Sequence, residues 1–381
     1  MNSIPYDSTN STNPHLINTN KSECIIDGSG NALTADYIWS KNGSDREKLL
    51  DWVFDYYRAR GFPHLVLNPA DLNKQFNNLK RNKANVMNFA GEIKNSGSTG
   101  TDILRHFCSE KFYSSKRGGK TDKSLLDVFN DDDLFKRVLK NRMGWCKTAE
   151  TGVDRPYVFG INDKMILQGI RSSGLGSIIS HFKPVVAKFI YQRYCSTGDT
   201  VLDYSAGWGA RLIAAKSLGL NYYGIDPNTS PELTNMASFY GGSGKLYDCG
   251  SEDPEEYTKM PKMDYVMSCP SYFDMEVYDS SDPRQCYNKF SDYQTWLDSY
   301  WKPTVENCIS VMKPSAKFSL IVVNKHGKFD LAVDMINICM LEGLKLIETV
   351  PIMTSSSHLT NKRTTKKVTK TTEALYTFER V

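Results

Sequence analysis

Two short stretches hold residue types and spacings that could do chemistry. The first is Val201-Leu202-Asp203-Tyr204-Ser205-Ala206-Gly207-Trp208-Gly209-Ala210-Arg211-Leu212. An apolar run ends on an acid, passes through a glycine turn and opens a helix. Glycine takes up positive φ and lets a ligand approach the backbone closely. The N–H groups that open the following helix are unpaired donors for an anionic or polar ligand. About twenty residues on, Gly224-Ile225-Asp226 ends a second apolar run with a carboxylate that can accept both hydroxyls of a ribose. The second stretch is Asp264-Tyr265-Val266-Met267-Ser268-Cys269-Pro270-Ser271-Tyr272-Phe273-Asp274-Met275-Glu276-Val277-Tyr278. It sets a thiol, two hydroxyls and aromatic rings at the end of another apolar run.

Three nucleotide readings compete for the glycine turn. A dinucleotide fingerprint needs G-x-G-x-x-G, and Leu212 stands where the third glycine belongs. A phosphate-binding loop fits worse: Gly119-Lys120-Thr121 ends like one, but Ser114 replaces its first glycine. The third reading fits best. The turn closely resembles motif I of class I S-adenosylmethionine-dependent methyltransferases, an acid followed by G-x-G. That resemblance implies a Rossmann-like α/β sheet and S-adenosylmethionine as cofactor. Asp203, Ser205 and the Gly207–Gly209 backbone would hold its methionine part, and Asp226 its ribose. Ser180-His181-Phe182-Lys183-Pro184 resembles the K-P segment of amino-methylating DNA methyltransferases, which places Lys183 beside the amino-acid end of the cofactor. Gly250-Ser251-Glu252-Asp253 resembles the family's adenine-contacting turn, which places Glu252 at the adenine.

The second stretch resembles S-P-P-Y-F-D-L-E-x-Y of certain amino-methylating DNA methyltransferases, many of them phage-type. Gln285, Trp296, Pro303 and Glu306 fall where that group has scattered residues, and the resemblance covers residues 170 to 381. An exocyclic base amine is a poor nucleophile, because its lone pair is delocalised into the ring. Acceptors must hold its N–H groups while the nitrogen pyramidalises toward the methyl group. The resemblance implies a polar side chain at the first motif position, the carbonyl of the following proline, and an aromatic stacked on a flipped base. Here those places are Cys269, Pro270, Ser271 and Tyr272. A thiol is a weak acceptor. Either Ser268 or Asp274 assists amine methylation, or Cys269 adds as a thiolate to a pyrimidine. Two further readings stay open. Cys269 is then a small buried residue at a strand end, or the chain binds nucleic acid on this fold without catalysis. Of the two adjacent aromatics, alternation at a strand end sends one into the core and one, Tyr272, toward the cleft.

The elements that must position these residues follow from periodicity. Strands are expected at Thr200–Asp203, Tyr222–Asp226, Leu246–Cys249, Tyr265–Cys269, Phe318–Asn324, Leu344–Met353 and Ala374–Arg380. Helices are expected over Ala210–Leu218, Tyr293–Met312 and Phe329–Leu341 between them, which implies a parallel sheet covered on both faces. The last two strands have no helix between them, so they form an antiparallel edge pair. Residues 1–44 read as a flexible polar lead and 45–170 as a mostly helical region for recognition or partner binding. The resemblance implies a methyltransferase domain over 171–381. In the helical region the best candidates are Asp45–Arg58, Lys74–Lys94, Thr101–Phe112 and Leu125–Asn141, with no clear strand pattern. Only about forty residues separate Asp226 from Cys269, too few for an inserted recognition domain.

Composition sets the outer limits. The chain has 381 residues, 40% of them hydrophobic, enough for a packed core and too many for global disorder. Nine cysteines, an odd number with no C-x-x-C pair, point away from a disulfide framework or zinc site and toward a reducing cytoplasm. The six histidines lack metal-ligand spacing, so no metal is expected. No apolar run is long enough to cross a membrane, and the polar start is not a secretory leader. A net charge of +4 says little, but its distribution points to a phosphate backbone. Lys116, Arg117 and Lys120 cluster in one loop, and Lys362, Arg363, Lys366 and Lys367 in another. Both fit counterion-releasing contacts with DNA.

Overall fold

The computed structural model describes residues 24–118, 123–144, 159–177, 179–353 and 373–381. The chain divides into two units: residues 1–71 with 123–176, and residues 72–122 with 177–381.

The first unit is helical. The helix Gly43–Arg60 buries Leu49, Leu50, Val53 and Tyr57, the face expected from their spacing. Residues 24–44 are not featureless, for they contain a bridge between Ile26 and Ala32 and a helix Ala35–Ser40 capped by Thr34. The expected helix Leu125–Asn141 is broken in two, Leu125–Asn130 and Asp132–Arg142. Asp131 leaves the helix and caps the second piece through the Leu134 N–H, the preference of a short carboxylate for a helix start. Asp163 anchors the unit: Arg60 grips it with two bonds of 2.6 and 2.7 Å, and the Tyr57 hydroxyl donates to it.

The second unit carries an eight-stranded sheet. Its strands are β1 (Ile93–Lys94), β3 (Thr200–Asp203), β4 (Asn221–Ile225), β5 (Gly244–Tyr247), β6 (Met263–Ser268), β8 (Met312–Val323), β9 (Leu344–Met353) and β10 (Glu373–Arg380). Two further strands, β2 (Lys116–Arg117) and β7 (Glu276–Val277), form a separate ribbon. The order is β5-β4-β3-β6-β8-β10-β9-β1. Strands β3, β4, β5, β6 and β8 are mutually parallel, and β10 runs antiparallel to both β8 and β9. This is the expected Rossmann-like sheet with its antiparallel C-terminal pair. The chain builds outward from β3 to β5, then returns to build the other way from β6. The point of reversal, between β3 and β6, is where open α/β sheets bind ligands at their carboxyl ends. Near-continuous burial along β3 and β6 is what a parallel strand covered on both faces requires.

Three details differ from the periodic reading. β10 is not an edge strand: it lies between β8 and β9, with Thr377 and Phe378 fully buried. The expected helix Lys74–Lys94 is a helix Pro69–Arg81 followed by a turn and β1, which pairs with β9. The Asn82 side chain accepts the Ala84 N–H at 2.8 Å, and Ala84 sits at φ 49°, so the helix stops there. Lys188, buried on the helix Pro184–Tyr194, donates to the carbonyls of Leu79, Lys80 and Asn82 at 2.8 Å each and caps that end. Finally, the helix that begins at Tyr293 has a π-helical turn over Leu297–Trp301 before continuing to Val311. Such turns are frequent at functional sites, and this one sets Tyr300 on the cleft described below.

Candidate active site

The glycine turn is built from left-handed backbone. Gly207 lies at φ 55° and Gly209 at φ 81°, both unfavourable for a residue with a Cβ. At Gly209 a Cβ would also meet Leu233 Cδ2 at 2.7 Å and Met236 Cε at 3.0 Å. At Gly207 it would meet nothing nearer than 3.8 Å. Packing thus requires the second glycine, whereas open space lies beside the first.

The two acids flanking this turn have different surroundings. Asp203 is fully buried, and all its bonds are internal. Its Oδ2 accepts from Arg211 Nε at 2.8 Å and from the Tyr222 hydroxyl at 2.6 Å; its Oδ1 accepts from the Ser268 hydroxyl at 2.6 Å. Burial works against the Arg211 charge, but Asp203 outweighs it and raises the Arg211 pKa. Asp203 therefore ties β3, β4, β6 and the helix Ala210–Leu218 together, and it is not among the residues lining the cleft. Asp226 does line it. Its carboxylate is oriented by three backbone donors, Gly207 at 2.8 Å, Asn228 at 2.9 Å and Thr229 at 2.8 Å. Burial pushes its carboxyl above the usual range against those three donors.

The cleft opens at the switch point and encloses about 60 Å³. Tyr204, Ser205 and Asp226 line one side, Gly250 and Glu252 another, and Ser271, Tyr278 and Gln285 a third. Three residues of this lining carry a buried polar atom without a protein partner: Tyr204 through its hydroxyl, Glu252 through Oε2 and Gln285 through Nε2. The other oxygen of Glu252 and that of Gln285 are engaged, since Glu252 pairs with Lys289 and Gln285 Oε1 accepts the Asp279 N–H. A buried donor and a buried acceptor left over in one cleft fit a polar ligand that supplies both partners. Gln285 was visible in the sequence only as a scattered family position, with no local pattern to mark it.

The segment after β6 divides its residues. Pro270 is buried and Ser271 lines the cleft. Phe273, at φ 49°, is in the core against Tyr293, Trp296 and Phe329. Tyr272 does not line the cleft. Its ring packs on the core, and its hydroxyl meets Cys269 Sγ at 2.8 Å and the Ile321 carbonyl at 3.4 Å. Burial pushes the Cys269 thiol up to about 12, helped by Glu373. Asp274 is exposed and paired with His326. Ser268 serves Asp203 rather than the cleft.

Lys183 stands at the N-cap position of the helix Pro184–Tyr194, with no side-chain capping bond, and is not among the cleft-lining residues. Lys116 and Arg117 form β2, which pairs with Val277 and Glu276 of β7, so the ribbon sits beside the segment after β6. Lys116, with Lys111, lines a second cavity of about 200 Å³ that shares Asn228, Tyr278 and Asp279 with the first. Lys120, Lys362, Arg363, Lys366 and Lys367 lie outside the described residues. Among the described residues no helix is long and apolar enough to cross a membrane, and no group of three His, Cys, Asp or Glu could hold a metal ion.

No protein-family model and no curated protein matches the sequence. Solved structures give distant likenesses. TrmN from Thermus thermophilus is 13% identical over 52% of this chain and 49% of that one, at a TM-score of 0.36, so the match spans about half of the Thermus protein. A TehB-like SAM-dependent methyltransferase from Corynebacterium glutamicum is 12% identical, covering 56% of this chain and 94% of that one, at 0.35. The magnesium protoporphyrin IX methyltransferase of Synechocystis PCC 6803, solved with bound SAM, is 14% identical, covering 51% and 76%, at 0.36.

Proposed function

We propose that this chain is an S-adenosylmethionine-dependent methyltransferase that acts on an exocyclic amino group of adenine or cytosine in DNA. One observation carries the reading. The residues expected to hold the cofactor and the segment expected to hold the base share one cleft at the switch point: Asp226 and Glu252 from the first set, Ser271 and Tyr278 from the second. The residues present fit the cofactor. Asp226 is oriented to accept ribose hydroxyls, the Glu252 and Gln285 atoms left without partners suit a purine edge, and Gly207 leaves room beside the turn.

When bound, S-adenosylmethionine supplies an electrophilic methyl group on a sulfonium. The chain's own part is positioning and acceptor placement. Asp203 and Arg211 hold the turn rigid from behind, so that Asp226 and the turn backbone do not have to rearrange on binding. Cys269, a neutral thiol at pH 7, argues against thiolate attack on a pyrimidine and for transfer to nitrogen. DNA as the polymer is supported by the likeness of the segment Ser268–Tyr278 to amino-methylating enzymes. Lys116 and Arg117, on the ribbon beside that segment, suit a phosphate backbone.

Calorimetric titration of S-adenosylmethionine into the wild-type chain tests the cofactor part. Saturable binding that Asp226→Ala abolishes supports it, and no binding by the wild type overturns it.

A further inference from the structure

One loop borders the cleft along its length. Residues 279–285 follow the ribbon strand β7 and lead into the short helix Cys286–Lys289. The loop's own side chains tie it into one piece. Gln285 Oε1 accepts the Asp279 N–H, which brings the two ends together. Asp279 Oδ1 accepts the Ser281 N–H at 2.8 Å and the Ser281 hydroxyl at 2.6 Å. Asp282 holds the Arg284 guanidinium through both carboxylate oxygens, at 3.1 and 2.8 Å. Asn288 of the short helix donates to the carbonyls of Asp279 and Asp282 at 3.2 and 2.7 Å. A surface loop packed by its own side chains, with its ends together, moves as a unit. Two bonds of Arg284 leave the loop for the opposite wall. Nη2 donates to the Pro227 carbonyl at 2.7 Å, and Nη1 meets Asp248 Oδ1 at 2.8 Å. Pro227 directly follows Asp226, the acid expected at the ribose, and Asp248 directly follows β5. One guanidinium thus fastens the loop to the wall that carries the cofactor acid.

The cleft encloses about 60 Å³. That is room for about four to six waters, and S-adenosylmethionine is several times larger. The second cavity, of about 200 Å³, lies on the other side of Tyr278, Asp279 and Asn228, which line both spaces. Lifting the loop takes Asp279 out of that partition and joins the two. Resting on the methyltransferase reading above, we propose that residues 279–285 are a lid over the cofactor and that Arg284 is its latch, a positioning residue that sets the rates of cofactor entry and release. The lid opens when the bonds to Pro227 and Asp248 break. Asp282 keeps its hold on Arg284, so the guanidinium travels with the lid and is aimed for re-closure. Closing brings down Gln285, whose Nε2 is a buried donor without a protein partner. The latch is strong enough to hold and weak enough to open. The side chains of Arg284 and Asp248 are 47% and 55% exposed, so water and salt compete for the pair. Lids of this kind open in microseconds to milliseconds and often limit exchange of ligand.

The test follows capture and release of methyl-labelled S-adenosylmethionine by the full-length chain on a rapid-mixing timescale. Arg284→Ala is expected to speed capture and release each about tenfold, with Kd within about threefold of wild type. Asp248 does not line the cleft, so Asp248→Asn loosens the latch without touching the ligand. It should speed both steps about threefold. Raising the salt from about 0.05 to about 0.5 M should speed capture by the wild type and leave capture by Arg284→Ala unchanged. Capture and release within about twofold of wild type in both variants overturn the proposal. So does a change confined to release by Arg284→Ala, with Asp248→Asn unaltered, which would make Arg284 a ligand contact and no latch. A wild type that binds no cofactor instead overturns the methyltransferase reading, and the proposal falls with it.

Discussion

Arg211 Nε meets Asp203 Oδ2 at 2.8 Å, in an ion pair whose side chains are 4% and 0% exposed. The acid expected to touch the cofactor is instead a strut behind the glycine turn. Both its oxygens are taken by Arg211, Tyr222 and Ser268, which come from three different elements. Removing one partner of such a pair leaves a buried, uncompensated charge, at a cost of about 3–5 kcal/mol. Arg211→Leu should therefore lower the unfolding free energy by about that amount in urea titrations. A loss under about 1 kcal/mol would mean the pair is not a strut.

The two glycines of the turn should fail in different ways. Gly209→Ala sets a Cβ against Leu233 and Met236 at positive φ, so the cost falls on folding, about 2–3 kcal/mol. Gly207→Ala has only the strain of its φ to bear, about 1 kcal/mol, because nothing lies within 3.8 Å. The methyl group would occupy space left for the ligand, so cofactor affinity should fall about tenfold or more. Thermal unfolding and calorimetric titration on both variants separate the two effects.

Asp226 is held above its ordinary pKa by burial, despite three N–H donors. A carboxyl raised on folding makes the folded state bind more protons than the unfolded one between the two values. Its contribution to stability is present below the unfolded value and is lost as pH rises through the folded one. Above the folded value the ionised group is a net cost to folding. Asp226→Asn should keep or raise Tm at pH 7, lose that advantage on acidification, and bind S-adenosylmethionine about tenfold or more weakly. A drop in Tm at neutral pH would show that the three donors outweigh burial.

With its thiol pushed up to about 12, Cys269 should be a thiol at neutral pH and alkylate slowly. Cys269→Ala should retain methyl transfer within about fivefold. Complete loss of transfer, with the fold and cofactor binding intact, would return the thiolate reading.

How much of this was legible depended on whether the signal was local. The glycine turn, Asp226 and the strand that ends at Ser268 were readable because turn chemistry and burial on both strand faces are written over a few consecutive residues. So was the buried face of Gly43–Arg60. The end of the helix Pro69–Arg81 was not, because it depends on Lys188, more than a hundred residues away, taking the last carbonyls. Asp203 looked like a ligand because a sequence does not show that Tyr222 and Ser268 will fill its lone pairs.

The central claim is that one cleft brings the cofactor and a base amine together. Nucleoside mass spectrometry of DNA from cells expressing the wild-type chain or Asp226→Ala tests it most directly. Asp226 is the better control than Asp203, whose loss would disturb the fold itself. The account predicts a nucleoside methylated on the exocyclic nitrogen of adenine or cytosine, present with the wild type and absent with the variant. DNA without any new nucleoside, or a methyl group on a ring carbon, would contradict it.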